Sequence, residues 1–377
     1  MLTRREAILM SVAGSLYPWT VGAAAAPKGG YTDKQYAAAM VIDALGGPGG
    51  FDPDATEGGP LTPRFIADVK ASGVTAVNCT VNEVGNGPDM FGKAVLYMAS
   101  MEHELTAHPD VFLKVLNGKH LQEAKATNRM GLIYGFQDST MLGSDLTKLA
   151  TFYDLGVRIA QPTYNLRNLI GDGCLEAANG GLSKLGYDFI AEVNRLNMFL
   201  DLSHAGARTI AEGIAASKSP MAITHTGCRA LVDVPRNTHD VSLKALADRG
   251  GVAGMFFMPF LRASGQPHAE DLIRHLEHAV NVCGEDHVGL GTDGGISGIT
   301  LNEAYAKSQR EFFEARSKAG IAAPGEAADI FNLIPEYNEP RRFRTLADDL
   351  SRRGWTSGRI DKILGQNFGR LFTEVWK

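Results

Sequence analysis

The chain has 377 residues, 44% of them hydrophobic, and a formal net charge of −5. This is the composition of a soluble globular protein with a large buried core, not of a disordered or fibrous chain. The mildly acidic balance gives no electrostatic basis for a nucleic-acid partner.

The first 26 residues differ from the rest. Arg4 and Arg5 precede a weakly hydrophobic stretch, and Ala23 to Ala26 form a small-residue run just before Pro27. A charged start, a short apolar middle and a small-residue exit predict an export signal over 1–26, and the arginine pair favours the twin-arginine route. The expected location is therefore periplasmic or otherwise exported. No later stretch is long and apolar enough to predict a stable membrane span. The four cysteines, Cys79, Cys174, Cys228 and Cys283, fit no zinc-ribbon or CxxC spacing, so buried free thiols are expected rather than a disulfide scaffold.

From residue 27 onward, short apolar runs alternate with longer helical stretches. Strands are predicted at 40–45, 74–81, 131–137, 157–165, 198–204, 221–226, 251–258 and 287–293. The long segment 91–130 reads as two helices, and the segment 343–377 as closing helices. Eight strands covered on both faces, each with a helical return, predict an α/β fold: a single-domain (β/α)8 TIM-type barrel, amidohydrolase-like, over 27–377. No Pro/Gly/Ser-rich linker divides the chain.

In such a barrel, chemistry belongs where strands end. The residues at those exits are Asp43, Asn78, Gln137, Tyr164, Asn165, His204, His225 and Asp293, all polar where a core would be apolar. His204 and His225 leave adjacent strands, so their imidazoles can share a metal. Asp293, in "GLGTDGG", suits a general acid or base. Arg236, in "VPRNTHD", suits a bidentate clamp on a substrate carboxylate, with Asn237 beside it. His103, His108, His120, His239, His275 and His278 are expected to be surface or internally satisfied. No HExxH, P-loop or GxSxG occurs in the right surroundings.

The segments "GLSKLGYDFIAEVNRLNMFLDLSHAG", "SPMAITHTGCRALVDVPRNTHD", "HVGLGTDGG" and "ILGQNFGRLF" together resemble the membrane (renal) dipeptidase family of metallopeptidases. The resemblance implies hydrolysis of dipeptides at a two-zinc site in the barrel. It places one zinc on His204 and His225, gives Arg236 the substrate carboxylate and gives Asp293 proton transfer. This sequence departs from the family elsewhere. Leu45 and Gly47 stand where the family has a His-x-Asp pair for the other zinc, Gln137 replaces a bridging glutamate, and Tyr164 replaces a substrate-contacting histidine.

A neutral amide cannot supply the charge that holds two dications roughly 3.5–4 Å apart. The expectation is therefore a reduced site with one zinc per chain or none, with Gln137 as a weak third ligand. Tyr164, Asn165, Arg236 and Asn237 are the expected substrate contacts, for a small peptide-like molecule. The alternative is a non-hydrolytic exported barrel that binds or matures a peptide-like metabolite, as in siderophore maturation. A homodimer is left open.

Overall fold

The apolar runs form parallel strands because burial on both faces leaves their backbone groups no partner but one another. The computed structural model describes residues 30–52 and 59–376, so the expected export signal lies outside the described residues. The strands are β1 (Ile42–Gly47), β2 (Ala76–Thr80), β3 (Phe112–Lys114), β4 (Met130–Gly135), β5 (Val157–Ala160), β6 (Phe199–Leu200), β7 (Ala222–Thr226), β8 (Val252–Met255), β9 (Val288–Leu290) and β10 (Gly294–Gly295). Parallel pairing runs β10-β1-β2-β4-β5-β6 on one arc and β7-β8-β9 on the other.

Two seams close the ring. The Leu202 N–H donates to the Ala222 carbonyl at 2.8 Å, carrying the ladder from β6 to β7. The Asp293 N–H donates to the Leu45 carbonyl at 2.8 Å, and Gly46 and Gly47 of β1 then pair with Gly294 and Gly295. With β9 and β10 as one stave, the eight predicted staves form a TIM barrel.

The segment read as two helices does contain them, Met90–Ala107 and Gly118–Thr127, with β3 pairing the start of β4 between them. At three residues, β3 is too short for its alternation to show. Four predicted strands ran too far. The regular strands end at Ala160, Leu200, Met255 and Leu290, so Tyr164, Asn165 and His204 stand on loops past them and Asp293 in the join between β9 and β10. Pro162, which has no N–H to donate, helps end β5 pairing.

At the opposite end, the helix Asn367–Val375 closes the barrel. Phe368, Leu371, Phe372 and Trp376 pack in one cluster with Ile42, Ala76, Ile133, Ile159, Phe199 and Val252 from the strands. Phe372 meets Phe199 edge-on at 5.0 Å and stacks on Trp376 at 4.5 Å.

Candidate active site

His225 lies on β7, and its position is fixed from behind. Its Nδ1–H donates to Thr224 Oγ1 at 2.9 Å, and Thr224 Oγ1 in turn donates to the Asp201 carboxylate at 2.6 Å. That chain assigns the proton to Nδ1 and leaves Nε2 a lone pair, buried and without a protein partner. His204 sits in a loop with φ of 62°, a left-handed conformation that costs a non-glycine residue about 1–2 kcal/mol. Its Nδ1 is 2.6 Å from Asn165 Oδ1, and its Nε2 accepts from the Arg236 guanidinium at 3.2 Å. The two rings meet with centroids 4.8 Å apart. Burial, reinforced by the Arg236 charge, holds both imidazoles well below their usual pKa, so both are neutral.

Arg236 is 3% exposed, and its guanidinium lies over the rings of Phe256 and Phe260. Among the described residues no carboxylate forms an ion pair with it. Asp293, also left-handed at φ 59°, has its carboxyl pushed up to about 6 by burial, against the opposing pull of Arg236 and Arg316. Tyr164 stacks on His204 with centroids 4.1 Å apart. The Tyr164 hydroxyl accepts from Arg316 at 2.9 Å, and Arg316 is paired with Glu326 at 2.6 Å.

Asn165 and Asn237 are tied into the loops around them. Asn165 Oδ1 is committed to His204, and its amide N–H donates to the Ile321 carbonyl at 2.8 Å. Asn237 donates to the carbonyls of Val232 and Phe260 at 2.8 and 2.9 Å. Both amides donate to carbonyls that the loops past the ladder would otherwise strand, and Asn237 Oδ1 is left buried without a partner among the described residues. Asp43 is likewise internal, accepting from Thr292 N–H and Oγ1 at 2.8 and 2.6 Å. Sequence reasoning missed Arg316 and Glu326. They lie on the last helical return and the loop beyond it, where nothing in the pattern separates them from surface charge. His275, on the helix Ala269–Cys283, is buried and satisfied, accepting from the Cys228 N–H at 2.9 Å and contacting the Leu261 carbonyl at 3.1 Å. All four cysteines are free.

The model of the membrane dipeptidase family, peptidase family M19, matches residues 73–307. The chain belongs to this family.

This membrane dipeptidase family member is 29% identical over 286 residues to the uncharacterized protein in the pqqA 5′ region of Klebsiella pneumoniae, covering 73% of this chain and 93% of that one. Dipeptidase verJ of Clonostachys rogersoniana is 31% identical over 184 residues, 48% of this chain and 46% of that protein. Among solved structures, an amidohydrolase from Pseudomonas aeruginosa superposes with a TM-score of 0.78 at 29% identity, covering 91% and 98% of the two chains.

M19 peptidases are metal-dependent, and the donor set here fits that chemistry on one side only. His225 Nε2 is an orphaned buried lone pair, and the neighbouring His204 ring carries a second Nε2 that would join it on a single ion once Arg236, which donates to it at 3.2 Å, is released. The other half holds Leu45, Gly47 and Gln137, and Gln137 Nε2 donates to Thr80 Oγ1 at 2.7 Å. None of the three is anionic, so a second dication does not fit. Among the described residues no cluster of three His, Cys, Asp or Glu side chains could complete a shell.

Proposed function

We propose that the protein is an exported dipeptidase-like hydrolase that cleaves a dipeptide or small peptide-like amide at a single-zinc site on His204 and His225. The observation that carries this reading is the pair of neutral imidazoles 4.8 Å apart, each with Nδ1 tied to a positioning group. When bound there, zinc supplies Lewis acidity toward water and the scissile carbonyl. Arg236, buried without a carboxylate partner, holds the carboxylate of the substrate. Asp293 takes the proton released by the attacking water and returns it to the leaving amine. Tyr164, held by Arg316, walls the pocket over the His204 ring.

Elemental analysis of the mature protein, purified without chelator, tests the reading. About one metal per chain, lost in His204→Ala and in His225→Ala, with turnover in a dipeptide screen, is the expected result. The absence of a third protein ligand among the described residues favours a second reading, a non-hydrolytic barrel that binds a peptide-like metabolite. A metal-free chain after incubation with zinc, still binding dipeptides, would establish it.

A further inference from the structure

The position where the family would hold its other metal is an open cavity of about 380 Å³. Leu45, Gly47 and Gln137, which replace that metal's ligands, all line it, together with Thr80, Asp293, Gly46, Gly294 and Gly295. Its floor is bare backbone where β1 pairs β10, and a side chain is excluded at two of the glycines there. A Cβ on Gly46 would come within 2.5 Å of Asp43 Oδ2, and one on Gly295 within 2.3 Å of the Gly49 carbonyl. A Cβ on Gly47 would meet nothing within 4 Å, because that glycine faces the open space.

The polar groups around this space share one character. Gln137 donates one amide N–H to Thr80, which anchors the amide and leaves its carbonyl free to accept. Asp293 is a carboxylate with no hydrogen-bond or ion-pair partner among the described residues. Both are acceptors, one of them anionic, and Arg236, with no carboxylate of its own, provides the opposite charge elsewhere in the site. We infer that the cavity left by the missing second metal is a subsite for a primary ammonium, so that the substrate's own cation occupies the half of the site from which the metal ligands have been lost. A zwitterion would then bind with its carboxylate on Arg236 and its ammonium on Asp293 and Gln137. One Asp293 oxygen takes the ammonium, and the other remains for proton transfer. Replacing a dication by a monocation matches the loss of charge from Glu to Gln and from His-x-Asp to Leu and Gly.

This inference rests on the dipeptide reading, and its test separates the two. Calorimetry would compare the four stereoisomers of a ketomethylene isostere of alanyl-alanine, which cannot be hydrolysed, each with a free and an N-acetylated amine. At fixed metal content, the free amine of the preferred isomer should bind at least about tenfold more tightly than its acetylated form. Gln137→Leu should narrow that gap and Gln137→Glu should widen it, the acetylated affinity staying constant in both. Equal affinity of the free and acetylated forms would overturn the ammonium subsite and leave the dipeptide reading standing. Failure of every isomer to bind would overturn both, and a second tightly bound zinc in the unaltered protein would overturn the subsite alone.

Discussion

At the residue scale, the site is organised around one buried cation, Arg236, and one half-buried acid, Asp293, with no ion pair between them. A guanidinium as enclosed as Arg236 normally has a carboxylate partner, because an uncompensated buried charge costs several kcal/mol. Here it has two aromatic rings and an imidazole lone pair instead. Arg236→Ala should therefore raise KM for a dipeptide by about 10- to 100-fold while hardly changing KM for its C-terminal amide. Equal losses for both substrates would remove the carboxylate clamp. Asp293 carries a second prediction. Its folded pKa is raised from 3.8 to about 6, with burial as the largest cause, so the folded chain keeps a proton that the unfolded chain has already lost between those values. Stability must then fall as pH rises through that window, and Asp293→Asn should flatten the slope when denaturant midpoints are compared between about pH 4 and 6. If the ionised form acts as base, kcat/KM should drop tenfold per pH unit below about 6.

At the scale of elements, loops past the ladder set the chemistry, and other loops hold them. The left-handed turn at His204 is stabilised by Asn165, which bonds Nδ1 while its own amide ties the chain to Ile321. Asn165→Ala should weaken zinc binding by about 10- to 100-fold in a competition assay with a chelator, with folding intact by circular dichroism. Unchanged zinc affinity would show that the ring is held by its backbone alone. The same elements show what the sequence disclosed. His204, His225 and Asp293 were legible because each follows an apolar run that reads as a buried strand, and Arg236 because its loop motif follows β7. The carbonyls that Asn165 and Asn237 serve were not legible, since a strand exit does not reveal which loop carbonyls will need a donor. Arg316 and Glu326 were not legible, because their approach to Tyr164 depends on how a 16-residue helix, Glu303–Lys318, returns across the barrel mouth.

At the scale of the whole molecule, the barrel has a chemical end and a structural end. The polar mouth carries left-handed residues and an open cavity, and the closed end is apolar. There the last helix inserts Phe368, Leu371 and Phe372 among the first residues of the strands, each of the three 0% exposed. Phe372 bridges the two sets, edge-on to Phe199 and stacked on Trp376. The helix thereby packs against residues of seven strands, β1, β2, β4, β5, β6, β7 and β8. Phe372→Ala should consequently cost about 3–5 kcal/mol, from lost burial and the cavity left behind, read as a lowered denaturant midpoint with the slope unchanged. Zinc affinity and KM measured well below that midpoint should match the unaltered protein, because the truncated ring lies at the end opposite His204 and His225. A loss below about 1 kcal/mol would mean that the helix is a detachable cap, not part of the barrel core.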